Sequence, residues 1–272
     1  MRSTHSEFIL EPLSKMIGET SFIVKGIDNG METYPLWDYL MQSLFIRLTG
    51  AQEQKLKCIC WDISTINYEI RVELFGNNSK SLNCSTLKDK NAVLQKLART
   101  LRERDIEIES KTDDLRDKAY REAFRVVDDF FIEMGLHGAY ENNRIVGERL
   151  FKNWMHCPCA KFDKVFYSCS NCSDGKSCSV GVQVAKNLAG VNKNIGENLI
   201  ENLYESLYRH RNRCAHNLLS YQKNLPNLKA LVRRISIYEN YYTWFMLLVF
   251  IDELVMSLYS ILKNDVDSTN MF

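Results

Sequence analysis

Apolar side chains recur three or four positions apart along most of the chain, which is the spacing of one face of an α-helix. The first such stripe starts just after Thr33 and Pro35, which are typical of a helix cap and a first-turn proline. It continues past Gly50, so the pattern predicts helix on both sides of this glycine. Its members are Leu36, Leu40, Leu44, Phe45, Leu48, Leu56, Ile59, Cys60 and Ile63.

Later segments repeat the helical pattern. Residues 90–104 form a basic amphipathic segment with Val93, Leu94, Leu97 and Leu101 on one face. Residues 111–134 follow, and Gly135 is placed to end that helix. We predict further helices over 142–155, 195–219 and 227–263, the last with Asn227 as its N-cap.

One short segment is compatible with a strand. In Tyr68–Phe75, YEIRVELF, apolar and polar residues alternate before the turn-like sequence GNNSKS. The predicted fold class is therefore all-α, a helical bundle with at most minor β structure in its amino-terminal third. We divide the chain into an amino-terminal helical region over 1–85, whose role is open, and a bundle over 86–272 that carries a cysteine-rich insertion at 156–178.

Composition and charge narrow the class of protein. The chain has 272 residues, 45% of them hydrophobic, and a net charge of +1. The hydrophobic content excludes a disordered chain. The net charge near zero gives no reason to expect that the protein binds nucleic acid or an anionic membrane through its overall charge. The apolar run YYTWFMLLVFI at 241–251 is shorter than the roughly 20 residues that span a bilayer. We predict that it is a buried core helix of a cytoplasmic protein with no membrane partner.

Nine cysteines are the unusual feature of the composition. Cys169 and Cys172 form a C-x2-C pair, the spacing that brings two thiolates to one zinc ion. Six candidates for about four positions leave the ligand set open: they are Cys157, Cys159, Cys169, Cys172 and Cys178, with His156 as an alternative. We expect a structural zinc and no catalytic metal, and free thiols in a surface loop are the alternative. The other cysteines, Cys58, Cys60, Cys84 and Cys214, are predicted to be buried packing residues.

A second chemical signal lies in the segment LYRHRNRCAHNLLS. Arg211 is followed directly by Asn212 and, five positions on, by His216. On a helix, positions five apart differ by about 140° around the axis and by about one turn along it, so both can border one cleft. Histidine exchanges protons near neutral pH, and arginine stabilises charge on phosphate oxygens. These residue types suit RNA cleavage in which the 2′-hydroxyl is the nucleophile.

The motif Arg211-Asn212-x3-His216, on a penultimate helix before an apolar final one, resembles the HEPN superfamily over about residues 190–263. That resemblance implies an all-helical, often dimeric ribonuclease of toxin or antiphage defence systems. It further implies that His216 is the general acid/base, that Arg211 stabilises the phosphate and that Asn212 orients groups in the cleft. The products would carry 2′,3′-cyclic phosphate and 5′-hydroxyl ends.

The resemblance also suggests partners. The cleft of this family forms between two copies of the motif, so we expect a homodimer or another HEPN-bearing chain, and a neutralising or activating protein. A polar residue of GAQEQKLK, with Glu53 the candidate, could face the cleft. Two other functions stay open: a non-catalytic module that binds RNA, a nucleotide or a protein, and a zinc-stabilised scaffold subunit. His5, His137 and His210 are expected to be solvated.

Overall fold

The computed structural model describes residues 4–25, 34–76, 84–108, 111–135, 140–141, 144–145, 148, 199–216 and 239–269. This part of the chain is helical and contains no strand, so the all-α class is confirmed. Its principal helices are α1 (Thr4–Leu10), α2 (Leu13–Val24), α3 (Tyr34–Ile66), α4 (Tyr68–Phe75), α5 (Leu87–Glu103), α6 (Thr112–Glu133), α7 (Leu199–His216) and α8 (Tyr241–Thr269).

The strand alternative for Tyr68–Phe75 is wrong, because this segment is the helix α4. Asn67 caps it by accepting a hydrogen bond from the Ile70 amide at 3.0 Å. Ile70 and Leu74, one turn apart, are buried, whereas Val72 between them is 50% exposed. The burial therefore follows a period of about four residues, and the apparent alternation of the sequence has no structural counterpart.

Local signals account for the bounds of the middle helices. The predicted helix around Gly50 is confirmed as the 33-residue α3. Helix α5 starts three residues before the predicted position because Thr86 and Asp89 form a reciprocal capping box. Helix α6 ends just before Gly135. The φ of this glycine is 65°, in the left-handed region that favours glycine.

Helix α8 is the centre of the bundle. It packs most extensively against α6 and also contacts α1, α2, α3, α5 and α7. Every residue from Tyr241 to Asp252 is buried, which confirms that 241–251 is a core helix. By length and hydropathy α8 could cross a membrane, but 78% of its most apolar window is buried inside the protein.

The prediction of one continuous helix over 227–263 is wrong, because the predicted range is interrupted at Glu239 and Asn240 and the helix runs beyond residue 263. Glu239 and Asn240 are not helical, and α8 begins behind Asn240, whose side-chain oxygen accepts a hydrogen bond from the Thr243 amide at 2.8 Å. The helix continues to Thr269. Asn227, the predicted cap, lies outside the described residues, as do most of 142–155 and both ends of the predicted helix 195–219.

A single apolar core joins the described helices. Ile9, Phe45 and Ile63 from the first part of the chain belong to the same cluster as Leu97 and Phe245. Residues on both sides of position 85/86 therefore share one core. The cysteine-rich insertion at 156–178 lies outside the described part of the chain.

Candidate functional site

Arg211 is held by residues from two helices. Its Nη1 donates to the Asn212 Oδ1 at 3.2 Å, and its Nη2 donates to the Glu53 Oε2 of α3, also at 3.2 Å. The Arg211 side chain is 27% exposed and that of Glu53 is 14% exposed. Among the described residues these two oxygens are the only acceptors for a guanidinium that has five N–H donors. Arg211 is thus oriented while it still faces solvent.

The proposed acid/base lies on the same helix as Arg211. Helix α7 spans Leu199–His216, so Arg211 and His216 are separated by about 7.5 Å along one helix axis. The backbone of His216 is described and its side chain is not. The structure therefore places Asn212 and Glu53 against Arg211, while the orientation of the His216 imidazole stays a prediction.

Behind the Arg211–Glu53 pair lies a buried chain of polar contacts. The Lys90 ammonium donates to the Gln52 Oε1 at 2.8 Å, and the Gln52 Nε2 donates to the Leu248 carbonyl at 2.8 Å. The same ammonium lies 5.6 Å from the centre of the Tyr204 ring, a cation–π distance. These contacts connect α5, α3, α8 and α7 directly beneath the site.

Lys90 adds a second positive charge near Glu53. Its side chain is 1% exposed, and burial lowers the pKa of Lys90 to about 8, while attraction to Glu53 opposes that change and Arg211 reinforces it. Burial of a charged lysine is costly unless the charge is compensated. The Glu53 carboxylate is therefore a shared counter-ion for Arg211 and Lys90.

A second buried ion pair connects α3 to α8 close to this site. The Lys55 Nζ donates to both Asp252 oxygens, at 2.8 and 2.9 Å, and each side chain is 2% exposed. The Leu13 amide, at the start of α2, donates to Asp252 at 2.9 Å. Burial raises the pKa of Asp252, and the bonds from Lys55 and Leu13 oppose that rise. The pair ties α3, α8 and α2 together.

His210 is not the solvated residue that we expected. It is fully buried, its Nε2 lies 3.0 Å from the Tyr241 hydroxyl, and its ring stacks on Trp244 with centroids 4.6 Å apart. Burial, reinforced by Arg213, lowers the pKa of His210 to about 3. The prediction failed because His210 lies on the face of α7 that meets α8. It is neutral at physiological pH and is a core residue.

The other two histidines differ from each other. His5 is half-buried, and its Nδ1 lies 3.1 Å from an oxygen of Asp62. The second Asp62 oxygen accepts a 2.5 Å hydrogen bond from the Tyr259 hydroxyl. His5 is thus engaged in a polar cluster between α1, α3 and α8 and is not simply solvated. His137 lies outside the described residues.

The predicted zinc ligands all lie outside the described part of the chain: they are His156, Cys157, Cys159, Cys169, Cys172 and Cys178. Within the described residues, no group of three or more His, Cys, Asp or Glu side chains could hold a metal ion. The remaining cysteines, Cys58, Cys60, Cys84 and Cys214, are buried free thiols, as predicted.

Sequence reasoning missed the polar residues beneath the site. Lys90 is the first residue of the predicted basic segment 90–104, and it lies one turn from Leu87, Val93 and Leu94. That position places it inside the buried stripe of α5. Gln52 likewise falls between Leu48 and Leu56 in the stripe of α3. A polar residue at an apolar position was the available signal.

No family model, curated protein or solved structure matches this chain. Its function has to be inferred from the residues of the site.

Proposed function

We propose that this protein is a metal-independent endoribonuclease of the HEPN type, acting in a toxin or antiphage defence role in the cytoplasm. The observation that carries the proposal is the arrangement of Arg211. Its guanidinium is oriented by Glu53 and Asn212, remains 27% exposed, and lies on the helix that carries His216. An oriented, solvent-facing arginine near a histidine suits phosphate chemistry.

In the proposed reaction His216 accepts the proton of the RNA 2′-hydroxyl. The 2′-oxygen attacks the adjacent phosphorus, and the bond from phosphorus to the 5′-oxygen breaks. The leaving oxygen takes a proton from His216 of a second copy, so the products are a 2′,3′-cyclic phosphate and a 5′-hydroxyl. Arg211 donates to the phosphate oxygens as negative charge builds on them in the transition state.

The environment of His210 supports the choice of His216. His210 is buried against Trp244 and has a pKa of about 3, so it cannot exchange protons near neutral pH. His216 is the other histidine on this helix. One imidazole per chain fits a cleft built from two copies of the motif, in which one histidine acts as base and the other as acid.

Asn212 and Glu53 have positioning roles in this proposal. Each accepts one hydrogen bond from Arg211, which restricts the rotation of the guanidinium before RNA binds. A fixed donor loses less conformational entropy on binding than a free arginine does.

An RNA-cleavage assay in EDTA tests the proposal. We expect the intact protein to cleave and to leave cyclic phosphate ends, and His216→Ala and Arg211→Ala to lose activity. Arg209→Ala is the matched control, because Arg209 is an exposed arginine on the same helix. Circular dichroism in the same buffer shows whether the helices persist. Equal cleavage by all four proteins, or loss of cleavage in EDTA with the helices intact, would refute the proposal.

A non-catalytic module that binds RNA is the second candidate. The partial exposure of Arg211 favours it, because an oriented guanidinium that faces solvent can bind a phosphate without any reaction. This function predicts that the intact protein binds RNA and leaves it uncut, and that Arg211→Ala reduces binding. The two candidates are distinguished by the presence or absence of cyclic phosphate ends.

We also propose that the cysteine-rich insertion binds a structural zinc ion. The C-x2-C spacing of Cys169 and Cys172 supports this proposal.

A further inference from the structure

A cavity of about 650 Å³ opens between the start of α2, α6 and the second half of α8. Its volume lies within the range of roughly 300–1,000 Å³ that is usual for small-molecule sites. None of Arg211, Asn212 and Glu53 contributes to its lining. The cavity is therefore separate from the proposed ribonuclease site.

One wall of the cavity is a row of positive charges. Lys118, Arg121 and Arg125 follow each other on α6 at intervals of three and four residues, so they share one face of the helix. Arg125 is already neutralised, because it donates to both Glu122 oxygens at 2.6 and 3.0 Å. Within the described part of the chain, neither Lys118 nor Arg121 forms a salt bridge.

The opposite wall supplies hydrogen-bond donors without a permanent negative charge. Burial, with the nearby Asp252 and Glu122 carboxylates, raises the pKa of Glu253 to about 7, and Lys55 and Lys118 oppose that rise. A large share of the Glu253 carboxyl groups is therefore protonated at neutral pH and can donate a hydrogen bond. The hydroxyls of Ser14, Ser257 and Ser260 line the same cavity. A bound anion favours the protonated form of Glu253, and Glu122 is paired with Arg125, so Lys118 and Arg121 remain the cations for a ligand.

The remaining lining is apolar and comes from Leu10, Leu115, Met256 and Ile261. A ligand that matches this lining carries negative charge for the two cations and an apolar body for the apolar side chains. A phosphate monoester has close to two negative charges at neutral pH and three acceptor oxygens. A carboxylate has one charge and two oxygens, so it would leave one cation uncompensated.

We infer that this cavity binds a small organic phosphate monoester. Lys118 and Arg121 hold the phosphate, the serine hydroxyls and Glu253 complete its hydrogen bonds, and the apolar body lies against Met256 and Ile261. This inference is independent of the ribonuclease proposal, since it concerns another set of residues and another ligand.

Calorimetric titration of the full chain with phenyl phosphate tests the inference. We expect saturable binding that Lys118→Gln and Arg121→Gln each weaken by about tenfold, since each removes a charge-assisted hydrogen bond. Lys88→Gln is the matched control, because Lys88 is an exposed lysine of α5 that does not line the cavity. Its affinity is expected to equal that of the unmodified protein.

Benzoate and inorganic phosphate complete the experiment. Benzoate binding as tight as phenyl phosphate would refute the selectivity for a phosphate, and equally tight inorganic phosphate would refute the apolar subsite. Absence of saturable phenyl phosphate binding, or equal affinity in all three variants, would overturn the site altogether. Thermal unfolding of each variant tests whether the substitutions at the exposed Lys88, Lys118 and Arg121 leave the fold intact.

Discussion

Replacing Lys90 with methionine probes the buried charge beneath Arg211. Methionine keeps the length of the side chain and removes the ammonium that bonds to Gln52. The pKa of Lys90 is about 8, against 10.5 for an unperturbed lysine. At about 1.4 kcal/mol per pH unit, this difference corresponds to about 3 kcal/mol of stability that the charged lysine costs the folded protein at pH 7.

The sign of the pH dependence follows from the lowered pKa. Between pH 8 and 10.5 the unfolded chain binds a proton at Lys90 that the folded protein has lost. The free energy of unfolding contributed by this group therefore rises with pH across that window. It is lowest below pH 8, where Lys90 is charged in both states.

Lys90→Met removes this cost but leaves the Gln52 Oε1 without its donor, which costs about 1–3 kcal/mol. We expect the two proteins to have similar stability at pH 7. The unmodified protein should then gain about 3 kcal/mol over the variant between pH 8 and 10.5. Tyrosines that titrate in this range are common to both proteins, so their contribution cancels in the difference.

The assay is urea unfolding of both proteins at several pH values from 7 to 10.5. Lys88→Met is the control, because Lys88 is exposed on the same helix. Its difference from the unmodified protein should be flat over the same range. A flat difference for Lys90→Met as well would show that Lys90 titrates normally, and the buried contacts with Gln52 and Tyr204 would then be wrong.

Three further predictions concern the ion pairs and the insertion. Glu53→Gln should keep one acceptor for Arg211 but remove its counter-charge. We expect RNA cleavage to fall by about tenfold while the fold is unchanged. Unchanged cleavage would exclude a positioning role for Glu53. Lys55→Met should lower the free energy of unfolding by about 3–5 kcal/mol, because it leaves the buried Asp252 with the Leu13 amide but without a positive counter-charge. Urea unfolding measures this loss, and a change below about 1 kcal/mol would contradict the buried pair. Cys169→Ser and Cys172→Ser should each reduce the zinc content of the purified protein; full zinc in both variants would remove these residues from the ligand set.

Much of the helical framework could be predicted because its causes are local. The left-handed Gly135 acts within a few residues and its role was predicted from the sequence. The capping box of Thr86 and Asp89 is equally local, although the predicted start at residue 90 missed it. The apolar run at 241–251 has no polar face. A helix over these residues therefore has to be buried on all sides. The secondary structure of a short segment is harder to predict. The pattern of Tyr68–Phe75 was compatible with both the two-residue period of a strand and the period of a helix.

The motif of Arg211, Asn212 and His216 is likewise contained in one stretch of sequence. Its acceptor on α3 is not, because Glu53 lies 158 positions away from Arg211. GAQEQKLK contains two glutamines as well as Glu53, and its residues face different directions around α3. The packing of α3 on α7 directs Glu53 to Arg211 and turns Gln52 toward Lys90 and the Leu248 carbonyl.

The amino-acid sequence by itself determined the helical class, the bounds of α6, the passage of α3 through Gly50, the burial of four cysteines and the candidate chemistry of α7. Only the tertiary structure decided which polar residues are buried. A histidine or lysine on a helix has the same local conformation in the core and in water. His210 is neutral because Trp244 and Tyr241 of α8 cover it, and Lys90 has a low pKa because Gln52 and Tyr204 replace its water. Those neighbours come from distant parts of the chain, so the charge of each group is a property of the packed bundle.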